Sequence, residues 1–197
     1  MVEIVEKVLA AVRLAERLKY TLRHSWLSDG RHESVAEHSW RMSLMALLVA
    51  PHLDANVDVE KLLKMVIVHD LVEAIAGDIP VFDVVNDSTM RILKRKREDD
   101  AMKQIFEMLP EINGEEVERL WREFETSSSI EAKVAKALDK LEAQIQHNEA
   151  PLATWLDVER NLMHSLEAYT SFDTFLDGIR SIVVDEAKSK IAESGSR

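Results

Sequence analysis

The sequence has no cysteine and few of the residues that interrupt helices. Without thiols it can form neither disulfides nor a thiolate metal site, which fits a reducing compartment such as the cytoplasm. Only five glycines and four prolines occur in 197 residues, and no segment alternates polar and apolar residues as a half-buried strand does. These absences together predict an all-α protein.

Long apolar runs and an excess of basic charge are also missing. No stretch approaches the roughly 18 apolar residues of a membrane span, and the acidic, amphipathic N-terminus is unlike a signal peptide. Thirty-six acidic against 25 basic residues give a net charge of −11, which argues against binding a nucleic acid polymer or an anionic membrane. We expect a cytoplasmic protein; its site can still bind a small phosphate if a cation neutralises that ligand.

Apolar spacing and capping signals divide the chain into helices with short polar connections. The first helix, at about residues 3–21, has apolar side chains on one face and is followed by a polar loop at 23–33. Capping boxes at Ser34–Glu37 and Ser128–Glu131 each predict a helix start, Asp58 is a plausible N-cap, and Asn113-Gly114 indicates a turn. The remaining helices are predicted at about 87–109 after a loop from Pro80, around 117–124, and at 153–170 and 172–193, with a frayed end.

The stretch from Met65 to Asp78 has the most unusual composition of the chain. His69 and Asp70 stand side by side at the end of an apolar run, Glu73 follows one turn later, and Asp78 comes just after the helix-ending Gly77. The apolar spacing predicts one continuous helix through residue 76, on which His69 and Glu73 share the buried face. Burying ionisable groups costs several kcal/mol unless something compensates, and a metal ion can do so.

Two further candidates lie on other predicted helices. His38 follows the first capping box and shares a stripe with apolar residues, and Asp139 borders the apolar stripe of a later helix. With His69 and Asp70 they offer two imidazoles and two carboxylates, a set that suits Mn, Co, Fe, Ni or Zn and suits Mg less well. Spacing alone leaves open that each histidine is an ordinary core or surface residue.

The motifs resemble those of the HD-domain metal-dependent phosphohydrolases. His38, then His69-Asp70, then a distant Asp139 match the H…HD…D signature of that superfamily. The surrounding blocks at residues 31–39, 69–80 and 137–142 look like those of its 5′-deoxynucleotidase branch. The resemblance covers roughly residues 10–170 and implies an all-α HD domain, which we expect to span 1–197. Its metal-site core is expected at about 20–150 and its closing helices at about 153–193.

The resemblance also implies roles for individual residues. His38, His69, Asp70 and Asp139 would bind a divalent metal ion. Glu73 would orient or deprotonate the attacking water, or pass a proton to the leaving oxygen. Asp78 would contact that water or the sugar hydroxyl. The implied activity is removal of the 5′-phosphate from nucleoside monophosphates, with a preference for the deoxy form, by an enzyme that is commonly a homodimer.

The phosphate needs a cation besides the metal, and three residues before His38 are substrate-binding candidates. Arg23 and Arg31 offer guanidinium groups that suit phosphate oxygens. The deoxynucleotidases have an adjacent Arg-Trp pair here, whereas this chain has Arg23-His-Ser-Trp26. Trp26 is therefore either a sugar-selecting wall or a loop anchor on the core.

Several charged and aromatic residues have no motif support. The basic segment Arg91–Arg97 is interpreted as a solvated helix face whose charges pair locally, because acidic residues follow at once. Lys140 either faces the phosphate or is a solvated helix lysine. The histidines interpreted as structural or surface residues are His24, His32, His52, His147 and His164.

Two other functions stay open at this point. One is a different HD-type hydrolase, either a phosphodiesterase or a nucleoside triphosphate hydrolase; a phosphodiesterase would often carry extra histidines for a second metal. The other is a non-catalytic protein that keeps the metal as a clamp or binds nucleotide as a sensor. Glu73 and Asp78, which a structural clamp does not require, favour the hydrolase.

Overall fold

A computed structural model describes residues 1–80 and 87–194 and confirms the all-α prediction. The loop expected after Pro80 and the frayed end fall largely on residues 81–86 and 195–197, outside the described residues. The helices are α1 (Val2–Ala15), α2 (Val35–Val49), α3 (Val59–Val68), α4 (Glu73–Ala76), α5 (Ser88–Met108), α6 (Glu111–Thr126), α7 (Ile130–Glu149), α8 (Asp157–Leu162), α9 (Glu167–Thr170) and α10 (Thr174–Ser194). Short 3₁₀ turns span Glu16–Lys19, Ala50–His52, Leu152–Thr154 and Met163–Ser165.

Helix α7 runs through the centre of the molecule. It contacts α2, α3, α6 and α10, and its Val134, Leu138 and Leu141 are completely buried. Such full burial contributes about 1.5–3 kcal/mol per large aliphatic side chain. Because α7 is packed on several sides, its position in the fold is fixed, and so is the backbone that carries its polar residues. No helix in the described residues is both long and apolar enough to cross a membrane.

The segment predicted as a loop at 23–33 is a small antiparallel β-hairpin. Strand β1 (Leu22–Trp26) pairs with β2 (His32–Ser34), with Trp26 opposite His32. Gly30 adopts a φ of 89° in the turn, a conformation that favours glycine. The prediction was wrong because these strands are rich in His, Arg, Ser and Glu and lack the apolar alternation that identifies a strand.

The apolar face predicted for α1 does not enter the core. Val5 and Val12 are 51% and 63% exposed, and the helix ends at Ala15 instead of continuing to 21. Leu14 and Leu18, near the junction with the following 3₁₀ turn, are buried. Periodicity identified the helix and its apolar face correctly but could not show that the described residues leave much of that face exposed.

The turn predicted at Asn113-Gly114 is wrong, because both residues are helical and lie near the start of α6. A Cβ placed on Gly114 would lie 3.2 Å from both Cδ2 and the carbonyl oxygen of Phe106 in α5. The glycine therefore permits a close approach of two helices instead of marking a turn. The helix at 153–170 is likewise broken into the short segments α8 and α9.

Three predicted helix starts can be compared with the structure. Ser34 and Glu37 form the predicted capping box, and Asp58 accepts from the backbone of Lys61 at 3.0 Å. Helix α7, however, is capped by Ser129, whose Oγ accepts from the Ala132 N–H at 3.1 Å. The predicted cap, Ser128, is one residue early because Ser127 turns the chain with a left-handed φ of 50°.

We therefore expect Ser129→Ala to lower the free energy of unfolding by about 1 kcal/mol, the usual loss for an N-cap. Ser128→Ala, at an exposed position with the same chemistry, is the matched control and should cause a clearly smaller loss. Urea denaturation followed by circular dichroism measures both. Equal losses in the two variants would show that Ser129 does not cap the helix.

Candidate metal centre and adjoining cavity

Three parts of the fold bring the four predicted metal ligands together. His38 lies on α2, His69 and Asp70 follow α3, and Asp139 lies on α7. An imidazole nitrogen of His38, one of His69 and a carboxylate oxygen of Asp139 all lie within 4.8 Å of one another. An Asp70 oxygen is 3.1 Å from Nε2 of His69 and 3.9 Å from Nε2 of His38, and an Asp139 oxygen is 3.3 Å from the latter.

The two imidazole rings are oriented by contacts on their other nitrogen. Nδ1 of His69 is 2.7 Å from the carbonyl oxygen of Val66, and Nδ1 of His38 contacts the carboxylate of Glu142. Such contacts fix which nitrogen is available to a metal. Both Nε2 atoms are buried and make no standard hydrogen bond within the described residues. Both rings thus direct an unused nitrogen at the two aspartates.

The electrostatics of this cluster favour a cation. Burial and the charge of Arg23 oppose protonation of His38, but Glu142 and Asp139 outweigh them and raise its pKa to about 9. Burial would likewise raise the pKa of Asp139, yet Lys140 and His38 hold it well below its usual value. A group of two imidazole nitrogens and two carboxylates in such a field fits a borderline divalent metal ion.

The helix predicted through residue 76 is interrupted at the His-Asp pair. Helix α3 ends at Val68, and the next turn tightens, with the amide of Leu71 donating to Val68 and that of Glu73 to Asp70 at 3.1 and 3.0 Å. Predicting one continuous helix was therefore wrong. Tight 3₁₀ turns are frequent at helix ends and as connectors, and here one places Asp70 and Glu73 on the cavity wall.

Glu73 and Asp78 lie beside the cluster. Glu73 is 7% exposed, and its Oε2 has no hydrogen-bond partner among the described residues. Burial, reinforced by the charges of Asp70 and Asp78, raises the pKa of Glu73 well above its usual value. Burial also raises the pKa of Asp78, which follows Gly77, a residue with a φ of 74°. Both carboxyl groups line the same cavity as the metal cluster.

That cavity has a volume of about 550 Å³, within the range of small-molecule sites. Its wall contains His69, Asp70, Glu73, Asp78 and Asp139. The wall also includes the side chains of α8 and α9 and several cations, which partly offset the acidic residues. The basic side chains that line it are Arg23, Lys94, Lys136 and Lys140.

The three predicted substrate-binding residues lie in different places. Arg23 lines the cavity, 3.7 Å from an Asp70 oxygen and 3.4 Å from Glu33. Arg31 is exposed, pairs with Glu37 at 2.6 Å, and does not line the cavity. Trp26 packs on His32 with ring centroids 4.0 Å apart and is also absent from the cavity wall. Only Arg23 reaches the cavity.

Sequence reasoning missed the importance of Glu142 and Lys94. Glu142 is completely buried between His38 and Arg41, whose Nε donates to it at 2.7 Å. The sequence did contain one signal for Glu142, because a glutamate is unusual on the apolar stripe that Leu138, Leu141 and Ile145 form. Lys94 lies in the segment interpreted as solvated; it pairs with Glu98 at 2.6 Å as expected, but it also lines the cavity.

Because Glu142 orients His38, Glu142→Gln is expected to weaken metal binding by about 10- to 100-fold, the usual effect of such supporting residues. Glu149→Gln is the matched control, since Glu149 also binds Arg41, at 2.7 Å, but is mostly exposed. Competition with a metal-sensitive chelator measures both affinities. If the two variants bind metal equally well, Glu142 has no orienting role.

The chain belongs to the HD domain family, whose model matches residues 15–176, and its fold is that of the metal-dependent phosphohydrolases. The motif-based family assignment and the prediction of an enzyme are both confirmed. A solved structure from Magnetospirillum magnetotacticum, described as a predicted metal-dependent phosphohydrolase, superposes with a TM-score of 0.80 at 28% identity. The match covers 95% of this chain and 94% of that structure.

Curated relatives are similar in sequence as well. The chain is 40% identical over 146 residues to the zebrafish (Danio rerio) 5′-deoxynucleotidase HDDC2, covering 73% of this chain and 70% of the relative. The human protein of the same name is 38% identical over 144 residues, which cover 72% of this chain and 67% of the human protein. These similarities place the chain among nucleotide phosphohydrolases.

Proposed function

We propose that this protein is a metal-dependent phosphomonoesterase that hydrolyses nucleoside 5′-monophosphates and prefers the deoxy form. The observation that carries the proposal is the position of the cluster His38, His69, Asp70 and Asp139 beside a cavity that also holds Glu73 and several cations. The names of the curated relatives, 5′-deoxynucleotidases from zebrafish and human, support both the reaction and the sugar preference.

The four clustered residues would hold the divalent ion, with Mn, Co, Fe, Ni or Zn as candidates. Such an ion, when bound, polarises a phosphoryl oxygen and lowers the pKa of a coordinated water. Arg23 and Lys140 each pair with a carboxylate of the cluster: Arg23 lies 3.7 Å from Asp70, and Lys140 lies 2.9 Å from Asp139. We assign them to the phosphate oxygens, with Lys94 as a third positive charge on the same wall.

Glu73 is assigned as the group that orients the attacking water and accepts its proton. Its carboxylate faces the cavity one turn from His69 and has an unused oxygen, so it can accept a hydrogen bond from water. Asp78, on the same wall, is assigned to the sugar hydroxyl or to that water. The apolar side chains of Val72, Ile79 and Pro80 also line the cavity, and we assign them to the side of the sugar that lacks a 2′-hydroxyl in the preferred substrate.

Phosphate release by metal-stripped protein, resupplied in turn with Mn, Co, Zn and Mg, tests this function. The substrates are paired deoxy- and ribonucleoside 5′-monophosphates, a 3′-monophosphate, a cyclic diester and a nucleoside triphosphate. Metal-dependent release that is fastest from the deoxy 5′-monophosphates supports the proposal. Faster cleavage of the diester or the triphosphate would assign the site to another HD-type hydrolase, and no release from metal-loaded protein would favour a sensor.

The family resemblance also suggests a homodimer, and we propose that α2 contributes to its interface. Trp40, Leu44, Leu47 and Leu48 lie on the outer side of α2 and are 40–68% exposed. Closed two-fold dimers are the commonest oligomers and bury the same patch from both subunits. Light scattering should give twice the chain mass for the wild type and a lower mass for Leu48→Lys. A wild-type protein that is monomeric at all concentrations would refute the dimer.

A further inference from the structure

Two histidines that have no motif support line the cavity together with a buried glutamate. Nε2 of His24, on β1, and Nε2 of His147, on α7, are each 3.4 Å from the same Oε1 of Glu159, on α8. Glu159 is 3% exposed, and all three residues line the cavity. None of them belongs to the proposed metal centre, and the phosphate chemistry assigns them no role.

Helix α7 shows how far this group lies from the metal cluster. Asp139, Ala143 and His147 are spaced four residues apart, so they share one face of the helix, and all three line the cavity. Eight residues at 1.5 Å each separate Asp139 from His147 by about 12 Å along the helix axis. A phosphate held beside Asp139 would therefore be joined through its sugar to a base that reaches the neighbourhood of His147.

The glutamate is held firmly but keeps one oxygen available. Its Oε2 accepts from the amide of Leu156 at 2.7 Å, which fixes the carboxylate at the start of α8. Its Oε1 lies 3.4 Å from each imidazole nitrogen, longer than the roughly 2.7–3.2 Å of a good N–H···O bond. The arrangement therefore has an acceptor oxygen next to the imidazole Nε2 of His147, which is also 3.5 Å from Oγ of Ser25, and a polar ligand edge can approach both more closely.

We propose that His147 and Glu159, with His24 beside them, bind the base of the nucleotide at its hydrogen-bonding edge. Each common base presents an N–H or amino donor next to a carbonyl or ring-nitrogen acceptor. Glu159 would accept from the donor, and an imidazole N–H would donate to the acceptor. Leu162, Leu166 and Tyr169 also line this cavity, and we assign them to the faces of the flat ring. This inference rests on the proposed function.

The experiment compares a nucleotide with the same phosphate ester lacking a base. For Glu159→Gln and His147→Gln, kcat/KM is measured with deoxynucleoside 5′-monophosphates and with 2-deoxyribose 5-phosphate. The amide oxygen introduced by Glu159→Gln can still accept from the Leu156 N–H, so α8 should stay folded. We expect the ratio of the two kcat/KM values to fall by roughly ten-fold or more, since a hydrogen bond to a charged group is lost. The exposed His164→Gln and Glu167→Gln are matched controls, and their ratios should stay unchanged.

A purely structural role for Glu159 would lower both kcat/KM values equally, and that unchanged ratio would overturn the inference. Calorimetric binding of a deoxynucleoside to wild type and Glu159→Gln gives a test that does not require turnover. If the wild type hydrolyses none of the esters but Glu159→Gln still binds the deoxynucleoside more weakly, the base site is supported and the hydrolase is refuted. Equal binding by both proteins would refute the base site even if the hydrolase is active.

Discussion

Glu73→Gln is expected to lower kcat for a deoxynucleoside 5′-monophosphate by about 10²- to 10⁴-fold, the range contributed by a positioned acid or base. Glutamine keeps the shape of the side chain but cannot accept a proton from water. Since Glu73 is outside the four-residue metal cluster, the variant should bind metal and substrate with affinities close to those of the wild type. Steady-state kinetics together with metal titration measures each quantity separately.

The matched control is Glu131→Gln, because Glu131 is also 7% exposed but pairs with Lys61 and the backbone of Asp58 away from the cavity. That variant should lose stability while its kcat changes little. If metal-loaded Glu73→Gln retains more than about a tenth of the wild-type kcat, the loss is too small for a catalytic acid or base, and Glu73 does not accept the proton of the attacking water.

Addition of metal at a hundred times its dissociation constant is expected to stabilise the wild-type protein by about 2.7 kcal/mol, because the ion binds only the folded chain. For a domain of this size that free energy corresponds to an increase in Tm of roughly 5–10 °C. Asp139→Asn should lose most of this increase, and with it the phosphatase activity, because one carboxylate of the cluster is replaced by a neutral amide. Thermal unfolding with and without the ion measures the effect.

Asp58→Asn is the control for that substitution. Asp58 caps α3 through the amide of Lys61, and asparagine caps helices about as well as aspartate. This variant should therefore keep both its stability and the full increase in Tm on metal addition. An equal increase in Asp139→Asn and wild type would show that the stabilising ion binds elsewhere.

Local signals predicted most of the helices, and the reasons for the failures differ. The capping box at Ser34 involves neighbouring residues only, so its sequence was sufficient. The exposed face of α1 could not be predicted, since periodicity gives a helix an apolar side without saying what packs on it. The hairpin at 22–34 was missed because its short strands have polar side chains on both faces and resemble a loop in composition.

The candidate site was predicted where the chemistry is concentrated in short blocks. His69, Asp70 and Glu73 occur within five residues; the structure groups ligand atoms of His69, His38 and Asp139 and places Asp70 and Glu73 on the wall of the adjoining cavity. Residues that reach the cavity from distant segments left no comparable pattern. Lys94 has an ordinary surface pairing with Glu98, and the contact between His147 and Glu159 depends on how α8 folds back onto α7.

The most direct test of the metal-centred mechanism is a titration of the metal-stripped enzyme with Mn²⁺ or Co²⁺, in which bound metal and phosphate release are measured in the same samples. We expect phosphate release from a deoxynucleoside 5′-monophosphate to rise in proportion to bound metal, and Asp139→Asn to abolish metal binding and release together. Glu73→Gln should bind the ion and release almost no phosphate. Full activity before any metal is bound, or undiminished activity in Asp139→Asn, would refute the metal-centred mechanism.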